Sequence, residues 1–206
     1  MKEKFIEIYR KHITRPGAED LLAYLEKSDF FRAPASHKYH LSIAGGLCIH
    51  SVGVYERLRD LYIHEKALKG EPVDLTPEQE ETIAICGLLH DLCKIDFYQS
   101  VKKSRKTGKT LPNGKPEWED YWGYEIEEKL IYGHGEKSVY IANGFIRLTR
   151  EEAMAIRWHM GPWMEGEAKG AGNAFKKCPL AVLTSLADMM ATNLDEKEDS
   201  YEGINC

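Results

Sequence analysis

Apolar residues recur along most of this chain at helical rather than alternating spacing. Leu47, His50, Val54, Leu58 and Leu61 stand at i, i+3, i+7, i+11 and i+14, one face of a long helix from the Gly45-Gly46 pair to about Leu68. Thr76-Pro77-Glu78-Gln79 is an N-cap, a proline at the first helical position and a capping-box glutamine, and it predicts a helix to about Cys93. Thr149-Arg150-Glu151-Glu152 repeats the box with glutamate and predicts a helix to about His159. Pro179, followed by Leu180, Val182, Leu183, Leu186, Met189 and Met190, opens a last, largely apolar helix. Shorter helices are expected near 2–12, 18–27 and 136–146.

Residues 97–128 break this pattern. Pro112-Asn113-Gly114 lies between segments rich in Tyr, Trp and Lys, so a two-stranded ribbon or irregular arm is expected there. Lys102, Lys103, Arg105, Lys106 and Lys109 fill its first half, and Glu117, Glu119, Asp120, Glu125, Glu127 and Glu128 its second. Such opposite charges would pair across a hairpin. From Leu194 on, Asp195, Glu196, Glu198 and Asp199 read as a short acidic end in solvent. The fold class that follows is all-α with a small β-ribbon insertion, in a single domain. Residues 1–29 form N-terminal helices packed on the core, 30–194 the main body and 195–206 an acidic tail.

Composition narrows the function classes. A chain of 206 residues with 43% hydrophobic residues is of a size and composition to bury one sizeable core. The formal net charge of −5 argues against a nucleic-acid binder acting through bulk positive charge, though a local basic patch remains open. The longest run without Asp, Glu, Lys or Arg, Tyr39 to Tyr55, holds two His, two Ser and three Gly, so no membrane span is expected. Met1 to Arg10 mixes charges with single apolar residues, unlike a signal peptide. Cys48, Cys86, Cys93, Cys178 and Cys206 include no C-x-x-C pair. Reduced thiols in the cytoplasm are the expectation.

Chemistry is carried by polar residues that interrupt apolar helix faces. His50 lies on the Leu47/Val54/Leu58 stripe. His90 and Asp91 close the run Ile83, Ile85, Cys86, Leu88, Leu89. Asp188 is the sole charge between Cys178 and Ala191. Each alone has an ordinary structural use: a hydrogen-bonded core histidine, a turn cap, a partner for an arginine. Four of them on three predicted helices share one explanation. A buried carboxylate costs several kcal/mol unless it is paired, hydrogen-bonded or metal-bound, and imidazole with carboxylate is the donor set of a divalent ion such as Mn, Fe, Co, Ni or Zn.

His50, then His90-Asp91, then Asp188 resembles the H…HD…D signature of the HD-domain superfamily of metal-dependent phosphohydrolases, and Leu88-Leu89-His90-Asp91-Leu92-Cys93-Lys94 looks like its "LLHDxxK" helix end. Phe30-Phe31-Arg32-Ala33-Pro34-Ala35-Ser36, His40, and Gly45 through Ser51 are similar to the opening motif of the HD domain in YhaM-type 3′-5′ exoribonucleases. Ile49 stands where that motif usually has Glu, and Cys93 where Gly is common before the lysine. The resemblance implies an all-helical HD-domain bundle over 30–194. It also implies one or two divalent ions held by His50, His90, Asp91 and Asp188, with His134 and His159 placed as the binuclear branch requires for a second.

The implied reaction is hydrolysis of a phosphomonoester or phosphodiester, most naturally of a nucleotide, by metal-activated water. Asp91, Lys94, His134 and Lys137 are the catalytic candidates. Lys94 and Lys137 are placed to hold phosphoryl oxygens, and Trp158 and Trp163, flanking His159, to stack a base. Two other readings stay open. One is a 3′-5′ nuclease on single-stranded RNA or DNA, favoured by the basic run 102–109. The other is a metal- or nucleotide-binding module without turnover.

Overall fold

A computed structural model of the chain describes residues 1–163 and 166–196. The elements in order are α1 (Lys2–His12), α2 (Ala18–Lys27), α3 (Gly46–Leu68), α4 (Pro77–Leu89), β1 (Tyr98–Thr110), β2 (Pro116–Ile126), α5 (His134–Asn143), α6 (Arg150–Arg157), α7 (Ala168–Lys177) and α8 (Pro179–Met190). Short 3₁₀ turns cover Leu92–Lys94 and Gly161–Trp163, and a π-turn covers Ala191–Asp195. The protein is thus mostly helical with one two-stranded antiparallel sheet. No helix among the described residues is long and apolar enough to cross a membrane.

Two helix halves form the centre. The first part of α3 (Leu47, Cys48, Ile49, His50, Ser51, Val52, Val54) and the second part of α4 (Ile83 through Leu89) are buried on every side. A helix buried all round has no polar face to give to water. α3 packs on α4 and α8, and α6 packs on α5 and α8. The crossing of α3 and α4 depends on Gly87: a Cβ there would stand 2.4 Å from the Cα of Tyr55. Only glycine permits that approach, and it brings the end of α4 alongside the third turn of α3. Phe5, Tyr9, Leu21, Leu22 and Leu25 of the first two helices share one apolar cluster with Leu47, Leu58 and Leu88.

The capping boxes form as the residue types dictate. Thr76 Oγ1 accepts from the Gln79 amide at 3.3 Å, and Thr149 Oγ1 from the Glu152 amide at 3.2 Å. Both helices end short of expectation, α4 at Leu89 and α6 at Arg157, because a histidine side chain then satisfies a carbonyl of the last turn. His90 Nδ1 lies 2.8 Å from the Gly87 oxygen and His159 Nδ1 2.7 Å from the Ile156 oxygen. The helix expected near 136–146 begins earlier, at His134, and ends at Asn143. α7 has no clear signal in the sequence, since Gly170 and Gly172 lower its intrinsic helix preference. Tertiary burial of Ala171 and Ala174 holds it.

The ribbon is an antiparallel pair in register from Tyr98↔Ile126 to Lys106↔Trp118. Its charges pair across the strands: Lys102 with Asp120 at 2.7 Å, Arg105 with Glu119 at 2.6 Å and Lys103 with Glu125 at 3.8 Å. Cys86, Cys93 and Cys178 are free thiols, while Cys206 lies outside the described residues. So does most of the acidic tail, 197–206. The part described corrects the expectation of a solvated end. Asp195 accepts from Arg57 Nε at 2.7 Å, and Glu196 is buried.

Candidate metal centre

The chain folds so that helix ends deliver polar side chains to one place. His50 stands in the second turn of α3, His90 and Asp91 follow the last turn of α4, His134 is the first residue of α5, His159 follows α6, and Asp188 lies near the end of α8. Gly135 sets the distance between the start of α5 and the end of α6. A Cβ on it would lie 2.2 Å from the Arg157 carbonyl oxygen, so no larger residue allows the two histidines at these termini to approach as they do.

Asp91 is the hub, and its two oxygens face different partners. Oδ2 lies 3.5 Å from His50 Nε2, 3.4 Å from His90 Nε2 and 2.6 Å from Lys94 Nζ. Oδ1 lies 3.0 Å from His134 Nε2 and 3.4 Å from His159 Nε2. His50 Nε2 is also 3.1 Å from His90 Nε2 and 3.2 Å from Asp188 Oδ1. His50 with His90 and Asp188, and His90 with Asp91 and His159, each place their ligand atoms within 4.8 Å of one another.

The outer nitrogens fix which way these rings can act. A carbonyl only accepts, so the Nδ1 atoms of His90 and His159 carry protons donated to Gly87 and Ile156, and in the neutral rings the lone pairs sit on Nε2. Those lone pairs point at Asp91 oxygens, acceptor against acceptor. His159 Nε2 is buried with no hydrogen-bond partner among the described residues. A cation between facing acceptors satisfies both, so the donors present fit a divalent ion.

The electrostatics agree. Burial disfavours a charge on His50, yet Glu196 and Asp188 outweigh it and push the ring up to about 10. Burial likewise opposes ionisation of Asp91, but Lys94 and the imidazoles around it hold its carboxyl well below the usual carboxylate range. Asp188 is held low against burial by His50. Burial lowers His90 and His134, leaving them neutral at pH 7, whereas Asp91 raises His159 against the same burial. The ring of carboxylates thus demands positive charge from whatever neighbours it.

A cavity of about 540 Å³ opens onto this hub. Asp91, Lys94, His134, His159 and Asp188 reach it, Tyr98 lines its wall, and Tyr39 and Trp163, both exposed, stand at its rim. Two sequence candidates are not brought there. Lys137 is buried, with its ammonium 2.6 Å from Glu128 and over the Phe97 ring, because the first turn of α5 directs it toward the chain leaving β2. Trp158 is half-buried between the Arg157 guanidinium and Gly170 of α7, so Trp163 is the tryptophan facing the cavity. Conversely, Glu196 lies in the stretch expected as a solvated tail, yet its Oε1 accepts from His50 Nδ1 at 2.7 Å. His40, cited in the opening motif, lies 5.1 Å from the His50 ring, and burial together with His50 lowers it to about 4. Cys93 also touches the hub, its Sγ 3.7 Å from Asp91 Oδ1.

Comparison with curated proteins and with solved structures gives no match. A family model, the HD domain, matches residues 47–193, a span that holds every residue facing the hub except His40 and Glu196. With the match covering well over half of the chain, the protein belongs to the HD domain family.

Proposed function

We propose that this protein is a metal-dependent phosphohydrolase that cleaves a phosphate ester of a nucleotide, with His50, His90, Asp91 and Asp188 holding one divalent ion and Asp91, His134 and His159 a second. The observation that carries this reading is Asp91 itself. Its two oxygens serve two groups of imidazoles at the floor of a cavity open to solvent. A divalent ion at such a position lowers the pKa of water toward ~7 and polarises a phosphoryl oxygen.

The chain's own groups supply the rest. Lys94, paired to Asp91 and reaching the cavity, holds a phosphoryl oxygen and offsets its charge. His134 is the most exposed ring of the set and lines the cavity beside Asp91, where it would hydrogen-bond the scissile phosphate if a single ion is bound. Trp163 and Tyr39 give a base flat surfaces at the rim. Among the described residues, Lys94 is the sole Lys or Arg lining the cavity, which suits one phosphoryl group rather than a triphosphate. For Lys137, its pairing with Glu128 favours holding the ribbon to α5 over contacting substrate.

The nuclease reading keeps one support, the opening motif from Phe30 to Ser51. Against it, Lys102, Lys103 and Arg105 already face acids across the ribbon. The test is a screen of nucleoside monophosphates, cyclic nucleotides and short oligonucleotides with Mn, Ni, Co or Mg, on wild type and Asp91→Ala. Turnover of mononucleotides, lost by roughly 10³-fold or more in Asp91→Ala together with bound metal, is the expected result. Turnover confined to oligonucleotides and falling steeply with salt favours the nuclease. Bound metal without turnover on any ester favours the non-catalytic module. Full activity in Asp91→Ala refutes the site.

A further inference from the structure

The ribbon of β1 and β2 stands out from the helical body. From Tyr98↔Ile126 to Lys106↔Trp118 it runs about 27 Å at ~3.4 Å per residue. No residue between Val101 and Ile126 is buried, and the two strands pack chiefly on each other. An isolated two-stranded hairpin is marginal in water, yet this one leaves Trp118 57% and Trp122 73% exposed. Residues four apart on a strand share a face, so both indoles lie on one side, with the exposed Ile126 at its base. Exposed apolar surface gathered in this way marks an interaction site. We propose that this face is the contact between two copies of the chain, which associate ribbon to ribbon as a homodimer.

Charge selects the occupant. The register sets Lys102 opposite Trp122, Ser104 opposite Asp120 and Lys106 opposite Trp118, so a basic row lies beside an aromatic and acidic one on the same face. Lys106 Nζ is 5.6 Å from the centre of the Trp118 ring, and Lys102 pairs with Asp120 at 2.7 Å. A second ribbon laid with its basic strand over the acidic strand of the first brings ammonium groups to indole rings and carboxylates in both directions. The face is therefore complementary to itself, as a contact between identical subunits requires. A polyanion finds a poorer match, since Asp120 stands between the two indoles and Glu117, Glu119 and Glu125 share their strand.

Area sets the strength. A tryptophan side chain offers up to ~250 Å², so these two, at 57% and 73% exposed, leave roughly 300 Å² of ring in solvent. With Lys102, Lys106 and Ile126 added, two such faces bury roughly 1,000 Å², the low end for specific association, which corresponds to a reversible dimer in the micromolar range. Tyr98, at the base of the ribbon, lines the cavity wall, whereas the two indoles lie beyond it. Association and metal binding are thus separable.

The experiment is sedimentation equilibrium of the full chain from about 1 to about 200 µM, where a reversible dimer is expected. The double variant Trp118→Ser with Trp122→Ser, which keeps Trp158 and Trp163, is expected to dimerise at least about 30-fold more weakly. Its metal stoichiometry and helical circular dichroism should match wild type. Hydrogen exchange on the wild type needs no variant: amides of residues 101–126 are expected to gain protection as concentration rises, because the second copy stabilises an otherwise marginal hairpin. A wild type that stays monomeric over the whole range overturns the inference, and so does a dimer of equal strength in the double variant. A monomer that binds oligonucleotide through these indoles, with affinity falling steeply as salt rises, also overturns it and gives the face to nucleic acid.

Discussion

Glu196 orients the ring that the hub depends on. Its Oε1 takes the His50 Nδ1 proton at 2.7 Å, which turns Nε2 toward Asp91 and Asp188. Removing a carboxylate behind a ligating histidine costs about 10–100-fold in metal affinity. Glu196→Ala is expected to fall in that range in a chelator-competition titration. Glu196→Gln, whose amide oxygen still accepts the proton, should lose less, and equal loss in both variants would show that charge rather than orientation matters. His50, His90, Asp91 and Asp188 were legible because each is a costly polar group in an apolar run. Glu196 was not, since it sits in an acidic stretch whose local character is that of solvent. Its partner lies 146 residues away, and only the folded chain singles it out. Lys137 and Trp158 failed the opposite way, adjacent to site histidines in sequence but turned elsewhere by their helices.

At the level of elements, a buried ion-pair network centred on Arg15 helps tie the N-terminal pair of helices to the body. Arg15, in the link between α1 and α2, donates to both oxygens of Glu152 at 2.8 and 2.9 Å and to Glu81 Oε2 at 3.2 Å. Glu152 is fully buried and also receives Thr82 Oγ1 and the Thr149 amide, so its carboxylate serves pair, box and helix at once. Arg15→Ala leaves that buried carboxylate without its cation and is expected to cost about 3–5 kcal/mol in urea unfolding. A loss below about 1 kcal/mol would place the anchorage in the apolar cluster instead. Helix positions were largely readable because caps and apolar spacing are local. α7 was not, because two glycines hide a helix that only packing secures.

For the molecule as a whole, the hub couples protons, metal and stability. His50 moves from an ordinary 6.5 up to about 10 in the fold. A raised group stabilises the fold fully below pH 6.5, and that contribution is lost as pH rises through 10. Asp91 and Asp188 are depressed, so their contribution is present above the usual carboxylate range and lost as pH falls well below it. The metal-stripped protein is therefore expected to lose thermal stability from pH 6.5 toward 10, with a weaker slope after metal loading, since a ligating His50 must be neutral. The same linkage predicts release of about one proton from His50 when the first ion binds near pH 7.5. Calorimetry in buffers of different ionisation heat measures it, and heats that do not vary with buffer would contradict the assignment.

The groups that build the hub are spread over much of the sequence, from His50 to Glu196, and this has a consequence in time. As the chain emerges from the ribosome, His50, His90 and Asp91 appear early, while Asp188 and its neighbour Glu196 arrive some hundred residues later. A nascent chain holding the early donors offers an incomplete ligand set on helices that have not yet packed. Tight uptake of an ion therefore waits for synthesis to pass Glu196, so that loading marks chains grown far enough to act.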